Sequence, residues 1–208
     1  MEATNISSTL IERLGADTLE RAVRQRYEAV AADPGGEFNF RVGREFAEAL
    51  GYPTALLDRL PAGSVARFTG VATPVFAAAL QPGERVLDLG CGAGVDTAVA
   101  AEAVGPAGRV IAVDLAMGMV RCTAAAADAL GAPWVLPCQA SAEALPLPTA
   151  SVDVVLVNGL FNLAPHKAAV LAEVARVTRP GGRLVAAETV LTRPLEDGEL
   201  TSVEDWFR

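Results

Sequence analysis

Nine residues, Val86-Leu87-Asp88-Leu89-Gly90-Cys91-Gly92-Ala93-Gly94, constrain this 208-residue chain more than any other stretch. Four residues of strand character run into a glycine-spaced turn, and an alanine-rich helical pattern, Val95 to Val104, follows at once. The glycines predict a backbone that turns sharply and approaches a ligand closely, where a Cβ would obstruct it. A strand, a tight turn and a helix in that order place a cofactor at the turn.

The spacing narrows the cofactor. A dinucleotide fingerprint, G-x-G-x-x-G, would put its third glycine where this chain has Val95, but the third glycine comes one residue early, at Gly94. Asp88, inside the strand, would repel a pyrophosphate and attract a cation. S-adenosyl-L-methionine carries an ammonium and a sulfonium and no phosphate, so it suits this pattern. The stretch resembles the glycine-rich motif of the class I S-adenosylmethionine-dependent methyltransferases.

Length suggests one domain or one domain with a small extension, and a 51% hydrophobic composition is ample for a core. No apolar run approaches the ~18 residues of a membrane helix. The polar start, Glu2-Ala3-Thr4-Asn5, has no signal-peptide pattern, so the expected location is cytoplasmic, with no membrane partner. A net charge of −8 and scattered arginines argue against nucleic acid. Cys91, Cys122 and Cys138 have no C-x-x-C spacing, and neither a disulfide framework nor a metal site is expected.

Residues 1–80 carry helical patterns and no convincing strand. Asp17 is a candidate N-cap for a helix whose Leu19, Val23, Tyr27 and Val30 share one face, and Asp33-Pro34-Gly35-Gly36 ends it. Further helical pieces are expected at Val42–Leu50, Thr54–Leu60, Gly63–Phe68 and Pro74–Leu80. This part reads as a cap on the acceptor side of the cofactor site. Residues 81–208 alternate: strand Arg85–Leu89, helix 95–104, strand Arg109–Asp114, helix Gly118–Leu130, strands Trp134–Cys138 and Val152–Val157, helix Lys167–Val177, strand Arg183–Leu191. The pattern predicts an α/β fold, a Rossmann-like doubly wound, mostly parallel sheet under an N-terminal helical cap, with ligands at the carboxyl ends of the strands. Its class I resemblance implies the strand order 3-2-1-4-5, followed by a helix and two closing strands. The chain stops at Glu204-Asp205-Trp206-Phe207-Arg208, so it is expected to be truncated at that end, or to have its sheet edge completed by another chain, as in a homodimer.

Asp114, at the end of the second predicted strand, is placed to accept ribose hydroxyls or to cap the next helix. The resemblance puts one of Met117 and Met119 on the adenine face, though a methionine near a helix start is more often core, and Ser141, Ala142 and Glu143 in the loop that reads the adenine edge. Many relatives have an acid where this chain has Ser141. Glu143 equally suits a helical-turn cap. The expected cofactor-binding set is Asp88, Gly90, Cys91, Gly92, Gly94, Asp114, Leu115, Met119, Ser141, Ala142, Glu143 and Asn158. Acceptor-side candidates are Tyr27, Asn158, Asn162 and Glu188, while the only histidine, His166, reads as a surface or capping residue. Arg179-Pro180-Gly181-Gly182 reads as a turn before the last strand.

Taken together, residues 20–205 resemble the arsenite methyltransferase branch. The marks are Val23-Arg24 with Tyr27, Leu50-Gly51-Tyr52-Pro53, Phe68-Thr69-Gly70-Val71 with Pro74, Asn158 to Leu163, and Glu188-Thr189-Val190-Leu191-Thr192. In that branch a cysteine thiolate for trivalent arsenic occupies the position of Gly159, and further cysteines precede the position of Cys91 or follow the last strand. This chain lacks them, and soft arsenic needs thiolates. The expected function is methyl transfer from S-adenosyl-L-methionine to a small-molecule or metalloid acceptor, by in-line displacement with no strong acid or base. A binding protein that has lost transfer, and a nucleotide-dependent oxidoreductase, are the alternatives.

Overall fold

The structure, a computed structural model, describes residues 11–190, 192–193 and 202–207. Five parallel strands form one sheet: β1 (Arg85–Leu89), β2 (Arg109–Asp114), β3 (Val135–Gln139), β4 (Val152–Asn158) and β5 (Thr178–Ala187), in the order β3-β2-β1-β4-β5. The order expected from the resemblance is the order observed. Side-chain alternation along β1 sends Val86 and Asp88 to one face and Leu87 and Leu89 to the other. On the first face Val86, Val110, Val154 and Leu156 pack against α6 (Val95–Val104). On the second, Leu87, Leu89, Val113, Val155 and Val157 pack against α8 (Lys167–Val177). Burial on both faces is why Val152 to Val157 is an unbroken buried run. Burying each of its valines contributes on the order of 1.5 kcal/mol or more.

Register aligns the site. Leu89 lies opposite Val113 on one side and Val157 on the other. The next residues in each chain segment, Gly90, Asp114 and Asn158, therefore emerge side by side at the carboxyl ends of β1, β2 and β4. The reversal of strand order lies between β1 and β4, where open α/β sheets leave a crevice.

The N-terminal part is helical: α1 (Ala16–Ala32), α2 (Arg44–Ala49) and three single turns, α3 (Thr54–Leu57), α4 (Ala62–Val65) and α5 (Pro74–Ala77). The single turns are shorter than the periodicity predicts because Pro53, Pro61 and Pro74 start each of them and nothing propagates a few residues of helix. Tyr52, Leu56, Leu57, Val65 and Val75 share a core with Val86 and Val154, so this segment packs directly onto the sheet. Helix α1 instead lies across α7 (Met117–Ala129), where Glu28 Oε2 accepts the Gly118 N–H at 3.0 Å. Asp17 does not cap α1. The helix begins earlier, with Gly15 at φ 80° as the N-cap residue, and Asp17 sits in the first turn, where its charge meets the positive helix end.

The last strand also differs from expectation. β5 begins at Thr178, and residues 179–182 form an excursion inside it, since Thr178 pairs with Val152 but the next pair is Arg183 with Val154. Gly181, at φ 79°, makes that excursion possible. β5 ends at Ala187, so Glu188 lies just beyond the strand, and Leu191 lies outside the described residues. A short 3-10 helix, Glu204–Phe207, packs back on α1 through Trp206 and Phe207. Among the described residues no helix is long and apolar enough to cross a membrane.

Candidate active site

The turn after β1 is held by β2. The Gly90 and Cys91 N–H groups both donate to the Val113 carbonyl, at 2.8 and 3.0 Å. Gly90 has φ 79°, and a Cβ there would come within 2.8 Å of the Leu160 side chain. Gly92, at φ 53°, faces open space and leaves its backbone accessible. The turn needs glycine at both positions, one for packing under the next loop and one for an open backbone.

Asp114 ends β2 beside this turn. Its Oδ2 accepts the Gly92 N–H and its Oδ1 the Ala116 N–H, each at 2.9 Å. Burial pushes its carboxyl up to about 6, against the pull of those N–H donors. The N-cap residue of α7 is Ala116, so Asp114 anchors the turn into the helix without capping it in the usual geometry.

A cavity with an empty volume of about 780 Å³, mouth included, opens over Gly90, Gly92 and Asp114. Leu115, Ser141, Ala142 and Glu143 form one wall, α1 supplies Glu20, Val23 and Tyr27, and Asn158 to Leu160 with Leu163 to Pro165 close the far side. Met119 does not reach it. Its side chain is fully buried between α7 and α1 among Val30, Ala31, Ala93 and Ala116, because its position on α7 turns toward α1. Gly94 also stands back, as the left-handed N-cap residue of α6 against Thr123.

Beneath lies a smaller polar recess with Asp88, Cys91, Asp96, Arg67 and Asn158. Asp88 accepts the Thr97 hydroxyl, and burial pushes both Asp88 and Asp96 upward. Cys91 is buried beside Thr123, and burial raises its thiol well above the ordinary range, so it stays neutral.

Asn158 is a bracket. Its Oδ1 accepts the Val71 and Ala72 N–H groups at 2.8 and 3.1 Å, while Nδ2 donates to the Ala72 carbonyl and to Asp96 Oδ2, both at 2.9 Å. Tyr52 donates its hydroxyl to Asp96 from the other side. The β4 end, the segment before α5 and the start of α6 are thus joined at one amide. Tyr52 and Asp96 were not among the sequence candidates; the only signal was Tyr52 within the Leu50 to Pro53 mark.

Glu188 and Asn162 shape a loop rather than line the cavity. Glu188 accepts the Phe161 and Asn162 N–H groups, at 2.7 and 3.4 Å, and burial raises its carboxyl. Asn162 donates to the Thr189 carbonyl at 2.7 Å. Tyr27 does line the cavity, stacked on Phe40 with centroids 5.9 Å apart, and burial raises its phenol so that it stays neutral. Glu143 faces the cavity and also holds the start of α8, accepting the His166 N–H at 3.1 Å with Nδ1 at 2.9 Å. Thr69, Leu160, Leu163 and Glu20 line the cavity without having been singled out, because their approach depends on tertiary packing.

Charge gives the test of fit. Among the described residues the main cavity is lined by three acids, Glu20, Asp114 and Glu143, and by no lysine, arginine or histidine. A pyrophosphate would meet only repulsion there, whereas a sulfonium and an ammonium would be attracted. The residues present suit S-adenosyl-L-methionine.

Comparison with known proteins agrees. A family model described as a methyltransferase domain matches residues 80–208. An arsenite methyltransferase from Halobacterium salinarum is 34% identical over 94% of this chain and 54% of its own length. A demethylmenaquinone methyltransferase from Lactococcus lactis is 37% identical over 51% of this chain and 42% of its own. The crystal structure of CrArsM, an arsenic(III) S-adenosylmethionine methyltransferase from Chlamydomonas reinhardtii, superposes with a TM-score of 0.56 at 33% identity, covering 68% of this chain and 48% of that one. The chain thus spans about half the length of these relatives. With its strand order, glycine turn, acid-lined cavity and family match in agreement, the chain belongs to the methyltransferase-domain family of class I, S-adenosylmethionine-dependent proteins.

Proposed function

We propose that this chain transfers the methyl group of S-adenosyl-L-methionine to a small acceptor that is neutral or cationic when it enters the cavity. The observation that carries the reading is the cavity at the carboxyl ends of β1, β2 and β4, lined by acids, neutral polar groups and apolar groups and, among the described residues, by no basic side chain. Bound there, the cofactor supplies an electrophilic methyl on a sulfonium. Asp114, Gly90 and Gly92 would hold its ribose side, Leu115 and the Ser141 to Glu143 loop its base, and Asp88 would complement its positive charge from the recess below.

The protein's own work is then positioning and exclusion of water. Tyr27 and Val23 on α1 roof the cavity, and Leu160 and Leu163 wall it, so an acceptor is surrounded mainly by apolar surface. Tyr27 stays protonated and is a donor to a polar acceptor. Glu188 is occupied by two backbone N–H groups and sets the loop instead of removing a proton. Acceptors with an available lone pair, such as amines or metalloids, suit a site without a free base.

Arsenite is named for one relative and arsenic(III) for another, so arsenite is the first acceptor to try. Among the described residues no cysteine lines the cavity, and Cys91 is a buried neutral thiol. Arsenite methylation by this chain would therefore need thiols supplied with the substrate, such as a glutathione complex. The test is incubation with methyl-labelled S-adenosyl-L-methionine and a panel of arsenite with glutathione, amines and phenols. Label transfer to one member supports the reading. Cofactor binding with no transfer to any member of a broad panel would favour a binding protein that has lost turnover.

A further inference from the structure

Trp206 and Phe207 are the largest apolar side chains of the C-terminal 3-10 helix, and both are buried, at 7% and 8% exposure. They occupy a position no motif indicated. Both join Leu19 and Val23 of α1 in one cluster, with Tyr27, Phe40, Leu115 and Leu163 packed around it. Four of these, Val23, Tyr27, Leu115 and Leu163, also line the main cavity.

The attachments are directional. Trp206 Nε1 donates to the Leu163 carbonyl at 3.1 Å, tying the 3-10 helix to the loop after β4. On the other side, the Arg26 guanidinium of α1 lies 4.9 Å from the Phe207 ring centroid, and the Asn39 amide donates to the Glu204 carbonyl at 3.0 Å. Phe40, which stacks on Tyr27, also touches Phe207 with centroids 6.4 Å apart. Asp205 accepts the Ser202 N–H and hydroxyl at 2.9 and 2.8 Å, closing the turn that presents the two aromatics.

We propose that Trp206 and Phe207 form a clasp that sets the distance between the α1 roof and the loop after β4, making Trp206 a positioning residue for the cavity. Among the described residues α1 is fastened to α7 through Glu28, and the loop to the segment after β5 through Glu188 and Asn162, with no hydrogen bond running directly from one wall to the other. The segment 67–72 also reaches α1 through Arg67, which donates to the Ala31 carbonyl at 2.7 Å, and reaches Asn158 through Val71 and Ala72, but only at the base of the loop; the clasp touches α1 at Leu19 and Val23 and the loop at Leu163. Its indole N–H serves the loop and its rings serve α1, so the two functions separate by substitution. The inference rests on the methyltransferase reading only for what the cavity holds.

Hydrogen–deuterium exchange of the full chain, with S-adenosylhomocysteine titrated by calorimetry, tests this. Trp206→Ala should raise exchange in residues 16–32 and in residues 158–165 together, leave β1, β2 and β4 protected, and weaken S-adenosylhomocysteine binding about tenfold through lost pre-organisation. Trp206→Phe keeps a ring on Leu19 and Val23 but loses the N–H donor, and should raise exchange in residues 158–165 alone. If Trp206→Phe leaves the loop unchanged, or loosens α1 and not the loop, the clasp is refuted. Should Trp206→Ala unfold, the Trp206→Phe result decides. Failure of the wild-type chain to bind S-adenosylhomocysteine would count against the methyltransferase reading while the exchange pattern still judged the clasp.

Discussion

Replacing Asn158 with aspartate tests the bracket with the smallest change of shape. Oδ1 would still accept the Val71 and Ala72 N–H groups, but the other position would change from a donor to a carboxylate oxygen, 2.9 Å from Asp96 Oδ2 and 2.9 Å from the Ala72 carbonyl. Two ionised carboxylates at that spacing would repel by about 6 kcal/mol even at an effective dielectric constant near 20, so the pair takes up a proton instead. Holding that proton raises the folded-state pKa of the pair above the unfolded value near 4. Raised folded pKa values mean that the folded state binds more protons than the unfolded one, and stability falls as pH rises through the window. Wild-type Asp96 already holds its own proton up to about pH 6, so the part of the Asn158→Asp deficit that depends on pH should open above pH 6 and grow there by about 1.4 kcal/mol per pH unit. Urea unfolding followed by circular dichroism at several pH values between 4.5 and 7.5 measures this. A deficit that does not change with pH, or none at pH 7, would refute the description of Asn158 as the donor to Asp96.

The unliganded wild type should itself lose stability as pH rises from about 4 to 7. Burial pushes Asp88, Asp96 and Asp114 up, Asp114 to about 6, and Asp114 alone accounts for about 3 kcal/mol of that loss. Affinity for S-adenosylhomocysteine should run the other way, falling about tenfold per unit below pH 6 as Asp114 takes up a proton; parallel thermal-shift and calorimetric titrations compare the two trends, and a pH-independent affinity would remove Asp114 from the site. Gly118→Ala should destabilise the chain by about 1–3 kcal/mol, since its Cβ would lie 2.5 Å from Glu28 Oε2 and 2.8 Å from Ala31 Cβ. Adding Glu28→Ala should recover part of that loss, and equal loss in the single and double variants would show that the α1–α7 contact is not the cause.

The sheet and the cofactor turn were legible because their signals are local. Val86 to Gly94 and the buried run Val152 to Val157 announce strands by composition, and the glycines announce the turn by spacing. The boundaries of the cap were less so. Asp17 has the right chemistry for an N-cap, but Gly15 reaches the required backbone geometry two residues earlier. Met119 and Leu115 are equally plausible ribose- or base-side neighbours in sequence, and only the packing of α1 on α7 decides that Met119 is core. Asn158 was expected at a ligand. Its bonds to Val71, Ala72 and Asp96, 62 to 87 positions away, belong to tertiary structure and leave no periodic trace. Glu188 shows the same lesson: as an acid after the last strand it suits the acceptor side, and its two backbone donors come from a loop 26 and 27 positions away that only the fold brings to it.

Calorimetric titration of S-adenosylhomocysteine into the wild-type chain and into Asp114→Asn at pH 7.5 tests the central claim most directly. Binding is expected at one site per chain, weakened at least about tenfold by the substitution while the fold persists by circular dichroism. A folded wild-type chain that gives no binding heat and no thermal shift, or that binds equally well without the Asp114 carboxylate, would contradict it.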